Sequence, residues 1–407
     1  MRIGIDYTPA ITLGAGIGRY TRGLVQALSE LDRENEYVLF ATVRSQVASP
    51  KSQVPKPKPQ FANLPSCQFS NLPICQFANL PICQFANFHY RPIPVSPRLM
   101  AIFWHRLRIP LPVEAFIGPV DVFHSPDFVL PPQRRGARLL TVHDLTFMRY
   151  PEGATPELRR YLNAVVPRSV RRADLVLADS ESTKRDLAEL LDVPPEKVRV
   201  VYAGVEPRFR PSFDDELLRQ VARRYDLDPP FILTVGTLEP RKNLQRLFAA
   251  YALLRQRMHF APRLVVVGAT GWLTGCIFAA LEESGIKEHV QFTGYVADED
   301  LPAVYNLACL FVFPSLYEGF GLPPLEAMAC GAPVACSHAP SLPEVVGDAA
   351  LTFEPTDVEA MADAMLRLLT DSEMRADLIV RGRDRATHFT WTAAATNLLA
   401  AYREVAG

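Results

Sequence analysis

The chain has 407 residues, 48% of them hydrophobic and 21% charged, which is the composition of a globular protein with room for two domains. No apolar run approaches the roughly 18 residues that a membrane-spanning helix needs, and residues 1–6 predict a strand rather than a signal peptide. The seven cysteines lack the spacing of metal ligands, so we expect reduced thiols in a cytoplasmic protein.

Charge is divided unevenly along the chain. Residues 1–211 contain 27 Lys and Arg against 19 Asp and Glu, a net charge of +8, whereas residues 212–407 contain 16 against 25, a net charge of −9. A basic half indicates an anionic partner, such as the inner face of a membrane or a lipid pyrophosphate, or it serves solubility alone. No aromatic and basic platform is evident, so we expect no nucleic acid partner.

The first elements are a buried strand at Arg2–Asp6, a glycine loop and a helix from about residue 17 to 31. The loop contains Gly14, Gly16 and Gly18, and backbone N–H groups at a helix start can receive a phosphate or a sugar. Its pattern differs from the dinucleotide-binding fingerprint, because no acidic residue follows at the required distance.

A second strand is predicted at residues 37–42, and then the globular pattern is lost. From Gln60 an octapeptide of the form Gln-Phe-Ala-Asn-Leu-Pro-x-Cys repeats, and a proline every eight residues breaks both helices and central strands. We interpret residues 45–93 as a low-complexity insertion in a surface loop, where added length costs little. A sticky interaction segment is the alternative.

Residues 96–117 interleave apolar residues with arginines, as in the stretch from Phe103 to Pro112. This pattern is typical of an amphipathic helix at a membrane interface. It is equally typical of an ordinary domain helix with a solvated basic face, and the sequence does not decide between them.

Two short strands, at residues 121–126 and 139–144, bring His124 and His143 to their carboxyl ends, where α/β proteins build their sites. His143 is followed by Asp144 and is the stronger candidate. Further strands are predicted at residues 174–180 and 198–202, and the proline-flanked residues 208–215 predict a linker.

The second half opens with a strand at residues 231–236, followed by a polar loop and a helix. The loop contains Arg241 and Lys242, and two cations beside a helix N-terminus can bind a diphosphate. Asp298-Glu-Asp300 lies where a helix begins, and acidic residues are common at helix starts, so we predict no metal site there.

The most informative motif of the second half contains two glutamates eight positions apart, Glu318 and Glu326. A buried strand at residues 309–315 precedes a Gly-Phe-Gly turn and a helix at residues 323–329. This order places Glu318 and the N–H groups of Phe320 and Gly321 at the carboxyl end of the strand, with Glu326 about two turns into the helix. One polyol ligand could bind both carboxylates.

These motifs, in this order, resemble those of the retaining glycosyltransferases of family 4. The resemblance implies an α/β protein of the GT-B fold, with two Rossmann-like doubly wound domains that face each other across a cleft. It implies an acceptor domain at residues 1–208, a donor domain at residues 212–388, and a final segment, residues 389–407, whose helix crosses back to the first domain.

The resemblance also assigns roles to the candidate residues. It implies that Arg241 and Lys242 bind the donor phosphates, that Glu326 binds the ribose and that His143 and Glu318 contact the transferred sugar. The remaining donor-binding candidates are glycine-loop, base-contacting and turn residues, namely Gly16, Gly18, Tyr295, Val296, Gly319, Phe320, Gly321 and Leu322. The enzyme would need no cofactor or metal, since a nucleotide diphosphate sugar is its co-substrate.

The implied activity is transfer of a hexose to a glycan or lipid-linked acceptor, with the protein cytoplasmic or peripheral at the inner membrane face. The residues around His124, His143 and Gly271-Trp272 are most similar to mannosyltransferases of bacterial surface polysaccharide synthesis, which favours GDP-mannose as donor. The alternatives are a nucleotide-sugar epimerase of the same fold and a non-catalytic subunit that binds a nucleotide sugar.

Overall fold

The computed structural model describes residues 1–14, 16–43, 85–212 and 214–407. Most of the octapeptide repeat, together with the predicted insertion up to residue 84, lies outside the described residues. Within the described part no helix is long and apolar enough to cross a membrane.

The N-terminal half forms a parallel sheet of seven strands in the order β3-β2-β1-β4-β5-β6-β7. Its strands are β1 (Arg2–Asp6), β2 (Glu36–Thr42), β3 (Phe88–Ile93), β4 (Val122–Ser125), β5 (Ala137–Val142), β6 (Leu175–Ala178) and β7 (Val198–Val200). The strand order reverses between β1 and β4, and a crevice at such a point is where doubly wound sheets bind ligands.

The C-terminal half forms a parallel sheet of six strands in the order β10-β9-β8-β11-β12-β13. Its strands are β8 (Phe231–Val235), β9 (Arg263–Val267), β10 (Val290–Gly294), β11 (Ala308–Phe313), β12 (Val334–Ser337) and β13 (Leu351–Phe353). Here the order reverses between β8 and β11, so the loops after these two strands meet at the sheet's carboxyl edge.

Helices pack around both sheets. Those of the first half are α1 (Thr8–Thr12), α2 (Ile17–Leu31), α3 (Pro97–Ala101, continued by a π-helical turn at Ile102–Arg106), α4 (Glu114–Ile117), α5 (Thr146–Arg149), α6 (Pro156–Arg172) and α7 (Glu181–Leu191). Those of the second half are α8 (Asp215–Arg224), α9 (Leu244–Arg257), α10 (Gly275–Ser284), α11 (Leu301–Leu307), α12 (Leu322–Ala329), α13 (Leu342–Val346), α14 (Val358–Thr370), α15 (Ser372–Thr387) and α16 (Trp391–Ala406). Because helices cover both faces, the central strands read as continuous apolar runs rather than alternating ones.

The last helix, α16, packs on the first half of the chain. The ring of Trp391 meets that of Tyr20 edge-on at 5.8 Å, and a Cβ atom at Gly23 would lie only 2.4 Å from the Trp391 ring. Further along, the Tyr402 hydroxyl lies 2.9 Å from Nδ1 of His124. Gly23 therefore lets α2 and α16 approach closely.

The prediction of an insertion at residues 45–93 was wrong at its C-terminal limit. Residues 88–93 are not a loop but the edge strand β3, which pairs in parallel with β2 over its whole length. The ring of Phe88 stacks on Tyr37 at 4.4 Å, and the Asn87 side chain donates to the backbone oxygens of Asp32 and Asn35. The segment that follows the repeat contains Pro92, and an edge strand tolerates a proline at this position.

Candidate active site

The centre of the candidate site is the carboxylate of Glu318, in the loop after β11. It accepts hydrogen bonds from Arg241 Nη1 at 2.6 Å and from Lys242 Nζ at 2.7 Å, and both cations lie in the loop after β8. Burial alone would raise the pKa of Glu318, but the charges of Arg241 and Lys242 lower it to about 2. Glu318 is therefore ionised at neutral pH although it is buried.

Arg241 lies between two carboxylates. Its guanidinium also donates to Glu239 at 2.6 Å and to the backbone oxygen of Tyr317 at 2.9 Å. Lys242 lies 4.9 Å from the centre of the Phe313 ring, and burial lowers its pKa although Glu318 opposes this shift. Glu318 thus holds both cations of the cluster, and Glu239 holds Arg241 from a second side.

The Gly-Phe-Gly turn brings the two halves of the chain into contact. A Cβ atom at Gly319 would lie 2.1 Å from the backbone oxygen of His143, and one at Gly321, where φ is +122°, would lie 2.6 Å from Leu342. The Ser341 hydroxyl donates to the backbone oxygens of Glu318 and Phe320, at 3.0 and 2.8 Å. Both glycines are therefore required by close packing.

Phe320 and Leu322 complete the turn. Phe320 is buried and its ring lies 5.9 Å from Tyr202 and 5.7 Å from Phe389, both outside the six-stranded sheet. Leu322 is the first residue of α12, and the N-cap position is Gly321. The side chain of Phe320 thus packs the turn against Tyr202 of the first half and against Phe389, which precedes α16.

Glu326 lies on α12 with 2% of its side chain exposed. One carboxylate oxygen accepts from Arg19 on α2, and the other accepts from the Tyr305 hydroxyl at 3.0 Å. Arg19 also lies 3.4 Å from Glu206, and its guanidinium lies 5.3 Å from the centre of the Phe209 ring. Glu326, the residue predicted to bind the ribose, is therefore held in place by Arg19 from the other half of the chain.

The side chain of His143 is held on both ring nitrogens by protein atoms. Nδ1 lies 2.6 Å from Asp179 and Nε2 lies 2.8 Å from the backbone oxygen of Pro126. Burial alone would lower the pKa of His143, but Asp179 raises it to about 9. The backbone oxygen of His143 lies against Gly319 of the glycine turn, and contact of the ring with the transferred sugar stays a prediction.

His124, the weaker candidate, is a core residue. Its Nε2 lies 2.9 Å from the Thr141 hydroxyl and its Nδ1 lies 2.9 Å from Tyr402 on α16, and burial lowers its pKa to about 3. A neutral, fully buried ring with two protein partners ties the first sheet to the last helix.

The structure places the remaining candidates on separate elements. Gly16 is the N-cap residue of α2, and a Cβ atom at Gly18 would lie 1.9 Å from the backbone oxygen of Leu13. Val296 is buried and Tyr295 is 37% exposed in the loop after β10, the edge strand of the second sheet. Gly18 therefore has a packing reason that does not depend on any ligand.

A cavity of about 1100 Å³ is lined by Arg19 but not by Glu326. The same face of α2 that carries Arg19 lines it, opposite the linker residues Phe209 and Arg208 and the start of α16. Asp298 also lines the cavity and pairs with Arg22 at 3.6 Å. In the described part of the chain, no cluster of three His, Cys, Asp or Glu is arranged to hold a metal ion.

Sequence reasoning missed three residues, and two of them, Arg19 and Glu344, connect the two halves. Asp179 directly follows β6, so the rule that selected His143 at a strand end could have found it. Arg19 follows the glycine loop but resembled an ordinary helix residue. Glu344 accepts hydrogen bonds from the N–H groups of Glu181 and Ser182 at the start of α7, and no local pattern marks that long-range contact.

Known families cover most of the chain. Residues 14–209 match Glycosyltransferase Family 4, and residues 218–385 match Glycosyl transferases group 1. The O-antigen chain mannosyltransferase B of Escherichia coli is 36% identical over 283 residues, which are 69% of this chain and 74% of that protein. The serotype-specific mannosyltransferase WbdA of the same species is 35% identical over 234 residues, covering 57% of this chain and 28% of that protein.

The sucrose-phosphate synthase of Thermosynechococcus elongatus has a similar solved structure. The two chains superpose with a TM-score of 0.70 at 22% identity, covering 99% of this chain and 98% of that one. At that identity the likeness shows the fold, and it confirms the predicted GT-B arrangement. The chain therefore belongs to glycosyltransferase family 4, a family of retaining and metal-independent enzymes.

Proposed function

We propose that the protein transfers a mannosyl group from GDP-mannose to a hydroxyl of a glycan or lipid-linked acceptor, with retention of the anomeric configuration. The observation that carries this proposal is the buried cluster of Glu318, Arg241 and Lys242 at the carboxyl ends of β8 and β11. It lies next to the N-terminus of α12, where the helix dipole and the N–H groups of Phe320, Gly321 and Leu322 favour an anion, although Pro323 and Pro324 have no N–H to contribute.

Departure of the nucleoside diphosphate builds negative charge on the leaving phosphate. Arg241 and Lys242 are fixed cations in a buried site, and such groups stabilise charge that develops in the transition state without reorganising. Lys242 uses one of its three N–H groups on Glu318, so the others remain for a phosphate. When the diphosphate takes up the cations, Glu318 becomes a free acceptor for hydroxyls of the sugar.

Glu326 is the proposed ligand of the ribose. A carboxylate offers about four acceptor positions, and Arg19 and Tyr305 occupy one on each oxygen, which leaves capacity for two hydroxyls. Arg19 would therefore link the binding of the ribose by Glu326 to the packing of the two halves of the chain.

The choice of mannose is supported by the similarity to the two O-antigen and serotype-specific mannosyltransferases. Trp272, part of the Gly271-Trp272 pair, donates from its indole N–H to the backbone oxygen of Gly153 at 2.7 Å, which joins the two halves of the chain. This contact lies in the region where the sequence resembles mannosyltransferases.

A donor panel tests the proposal. Purified protein is heated with GDP-mannose, UDP-glucose and ADP-glucose, and radiolabelled GDP-mannose is then incubated with and without a lipid-linked glycan acceptor. A ligand at 100 times its dissociation constant stabilises a protein by about 2.7 kcal/mol, so the true donor should raise the melting temperature.

Label transferred to the acceptor with an α-linkage supports the proposal. Isomerised donor would indicate the epimerase alternative, and retained, unchanged donor would indicate a non-catalytic subunit. Stabilisation by UDP-glucose or ADP-glucose but not by GDP-mannose would contradict the donor assignment while leaving glycosyl transfer intact.

A further inference from the structure

One face of α7, a helix of the first half, lies against the loop between β11 and α12, residues 314–321, which we call the Glu318 loop. The Thr183 hydroxyl of α7 lies 3.4 Å from the backbone oxygen of Gly319. One turn further along α7, the Asp186 carboxylate accepts a hydrogen bond from the Tyr317 hydroxyl, and both side chains are buried. Residues three apart lie on one face of a helix, so α7 contacts the neighbours of Glu318 on both sides.

Tyr317 is in turn bound to the candidate phosphate ligand Arg241 through the backbone. Its backbone oxygen accepts from Arg241 Nη1 at 2.9 Å, and the N–H of Leu316 donates to the backbone oxygen of Arg241 at 2.9 Å. The same Nη1 atom donates to the Glu318 carboxylate at 2.6 Å. A shift of Tyr317 would therefore displace Arg241 and Glu318 relative to each other.

Asp186 is held in place from the first half. Arg149 Nε donates to its Oδ1 atom at 2.7 Å, while Tyr317 donates to Oδ2, so each oxygen has its own donor. Burial, and then the hydrogen bond and charge of Asp186, raise the pKa of Tyr317, so the Tyr317 hydroxyl stays protonated. The first half thus offers the Glu318 loop a fixed acceptor at one place.

The Glu318 loop is closely packed on the first half beside this contact. A Cβ atom at Gly319 would lie 2.1 Å from the backbone oxygen of His143. Close packing passes a displacement of one half on to the other, and a misplacement of about 1 Å in an active site can slow an enzyme about 100-fold. Loss of the Asp186 contact should therefore be visible in the rate of the chemical step.

We propose that Asp186 is a positioning residue for glycosyl transfer, which acts through the Tyr317 hydroxyl. The contact holds the Glu318 loop so that Arg241 and Glu318 lie where the departing diphosphate and the sugar need them. The inference rests on the proposed transfer reaction and adds to it a residue of the first half that does not touch the donor.

Transfer kinetics of the full-length protein test the proposal. Asp186→Ala and Tyr317→Phe each remove the contact, their combination tests whether both act through it, and Asp186→Asn conserves shape and a hydrogen-bonding group. Radiolabelled GDP-mannose with a lipid-linked glycan acceptor gives kcat and KM, and label released as free mannose measures hydrolysis by water. Glu189→Ala is the matched control, because Glu189 also pairs with Arg149 but is 60% exposed and lies at the far end of α7.

We expect kcat to fall about 10- to 100-fold in Asp186→Ala and Tyr317→Phe, while KM for the donor changes about threefold or less. The ratio of hydrolysis to transfer should rise, because a displaced loop excludes water less well, and this ratio does not depend on the folded fraction. The double variant should be no slower than the slower single variant, since one hydrogen bond connects the two side chains. Asp186→Asn should recover most of kcat, and the control should keep it.

Melting temperatures verify folding, and Tyr317→Phe, which removes one oxygen atom, decides the matter if Asp186→Ala is unstable. Wild-type kcat in Tyr317→Phe would overturn the proposal. Losses that multiply in the double variant would also overturn it, since the two side chains would then act separately. A lower kcat with an unchanged ratio of hydrolysis to transfer would overturn it too and would leave the contact a structural one.

A wild type that transfers no label would contradict the proposed function, and inorganic pyrophosphate then tests the positioning by itself. Calorimetry should show that pyrophosphate binds Asp186→Ala and Tyr317→Phe about threefold more weakly than it binds the wild type and Glu189→Ala, because the guanidinium of Arg241 is displaced. Equal binding to all four proteins, or no binding to the wild type, would overturn the inference.

Discussion

Arg19 and Glu326 form a buried ion pair between two parts of the chain that are 307 positions apart. Arg19 lies on the first helix after the glycine loop, and Glu326 lies on the helix of the Glu318 motif. Their side chains are 13% and 2% exposed. The pair therefore couples the carboxylate proposed to bind the ribose to the packing of the two halves.

Replacement of Arg19 by Met should both destabilise the fold and weaken donor binding. Removing one partner of a buried pair leaves an uncompensated charge, which typically costs about 3–5 kcal/mol. We expect a loss of about 3 kcal/mol in urea unfolding and about tenfold weaker GDP binding by calorimetry. Adding Glu326→Gln to Arg19→Met should recover part of the stability but not the affinity.

The matched control for this variant is Arg223→Met, on α8. Arg223 pairs with Glu216 at 3.1 Å and its side chain is 69% exposed, so its loss should hardly change stability or GDP binding. Equal effects of the two substitutions would show that the Arg19–Glu326 pair has no special role.

Arg241 and Lys242, which we propose to bind the donor phosphates, lead to a kinetic prediction. Lys242→Met and Arg241→Met should each slow turnover about 10- to 100-fold, because a charge-assisted hydrogen bond contributes roughly 1.5–3 kcal/mol. Single-turnover transfer should lose more than donor affinity does, since the cations act on charge that develops late. Wild-type turnover in both variants would show that these two cations take no part in the mechanism. The control for the substitution itself is Arg257→Met, because Arg257 forms an exposed ion pair at the end of α9.

The same two variants should also destabilise the fold. From the sequence, both residues lie on a loop, which predicts little effect on stability. In the structure, they hold the buried Glu318 in its ionised form, so the loss of either should lower the free energy of unfolding by roughly 1–3 kcal/mol. Glu318→Gln combined with Lys242→Met should be less destabilised than the single lysine variant.

Local patterns in the sequence predicted strands, turns and helices, and the family resemblance predicted the GT-B arrangement, but neither predicted the contacts between the two halves. The strand at residues 309–315 and the Gly-Phe-Gly turn follow from apolar runs and glycines that are neighbours in sequence. The partner of Glu326 depends on how two domains face each other, which no local pattern records. β3 was missed for another reason, since the repeat before it and Pro92 hide the signal of an edge strand.

The pair of His143 and Asp179 predicts a decline in stability above neutral pH. Since Nε2 of His143 donates to the backbone oxygen of Pro126, the pair must hold a second proton between Nδ1 and the Asp179 carboxylate. Its folded pKa of about 9 lies above the ordinary value of 6.5, so the contribution is complete below pH 6.5 and is lost as the pH rises through about 9. We expect a fall of about 2 kcal/mol in the free energy of unfolding between pH 7 and pH 9.5.

Urea unfolding of wild type and Asp179→Asn across this pH range checks the prediction. The variant loses the carboxylate that raises the pKa of His143, so its stability should be lower at pH 7 but nearly constant up to pH 9.5. The buried His124, whose folded pKa is about 3, acts in the opposite direction and reduces stability only below about pH 6.5. A wild type with constant stability from pH 7 to 9.5 would contradict the assignment.

The final prediction concerns the repeat and the length of chain that must replace it. β2 and β3 are parallel, so the chain between them has to return along the whole of β2, which spans seven residues or about 23 Å. Parallel strands need a connection of roughly a dozen residues or more. We therefore expect that deletion of residues 45–84, with a Gly-Ser linker of about 15 residues, keeps the melting temperature and donor affinity.

Two shorter variants isolate the cause. The same deletion closed without a linker leaves five residues, 43, 44 and 85–87, between β2 and β3. Fully extended they reach about 20 Å, which is too short to return along the strand, so this variant should have a lower melting temperature or fail to fold. Deletion of residues 45–93 also removes β3, which stacks Phe88 on Tyr37, and should leave the protein poorly soluble because β2 becomes an exposed apolar edge. If the long-linker deletion failed as these two do, the repeat itself would have to pack on the core.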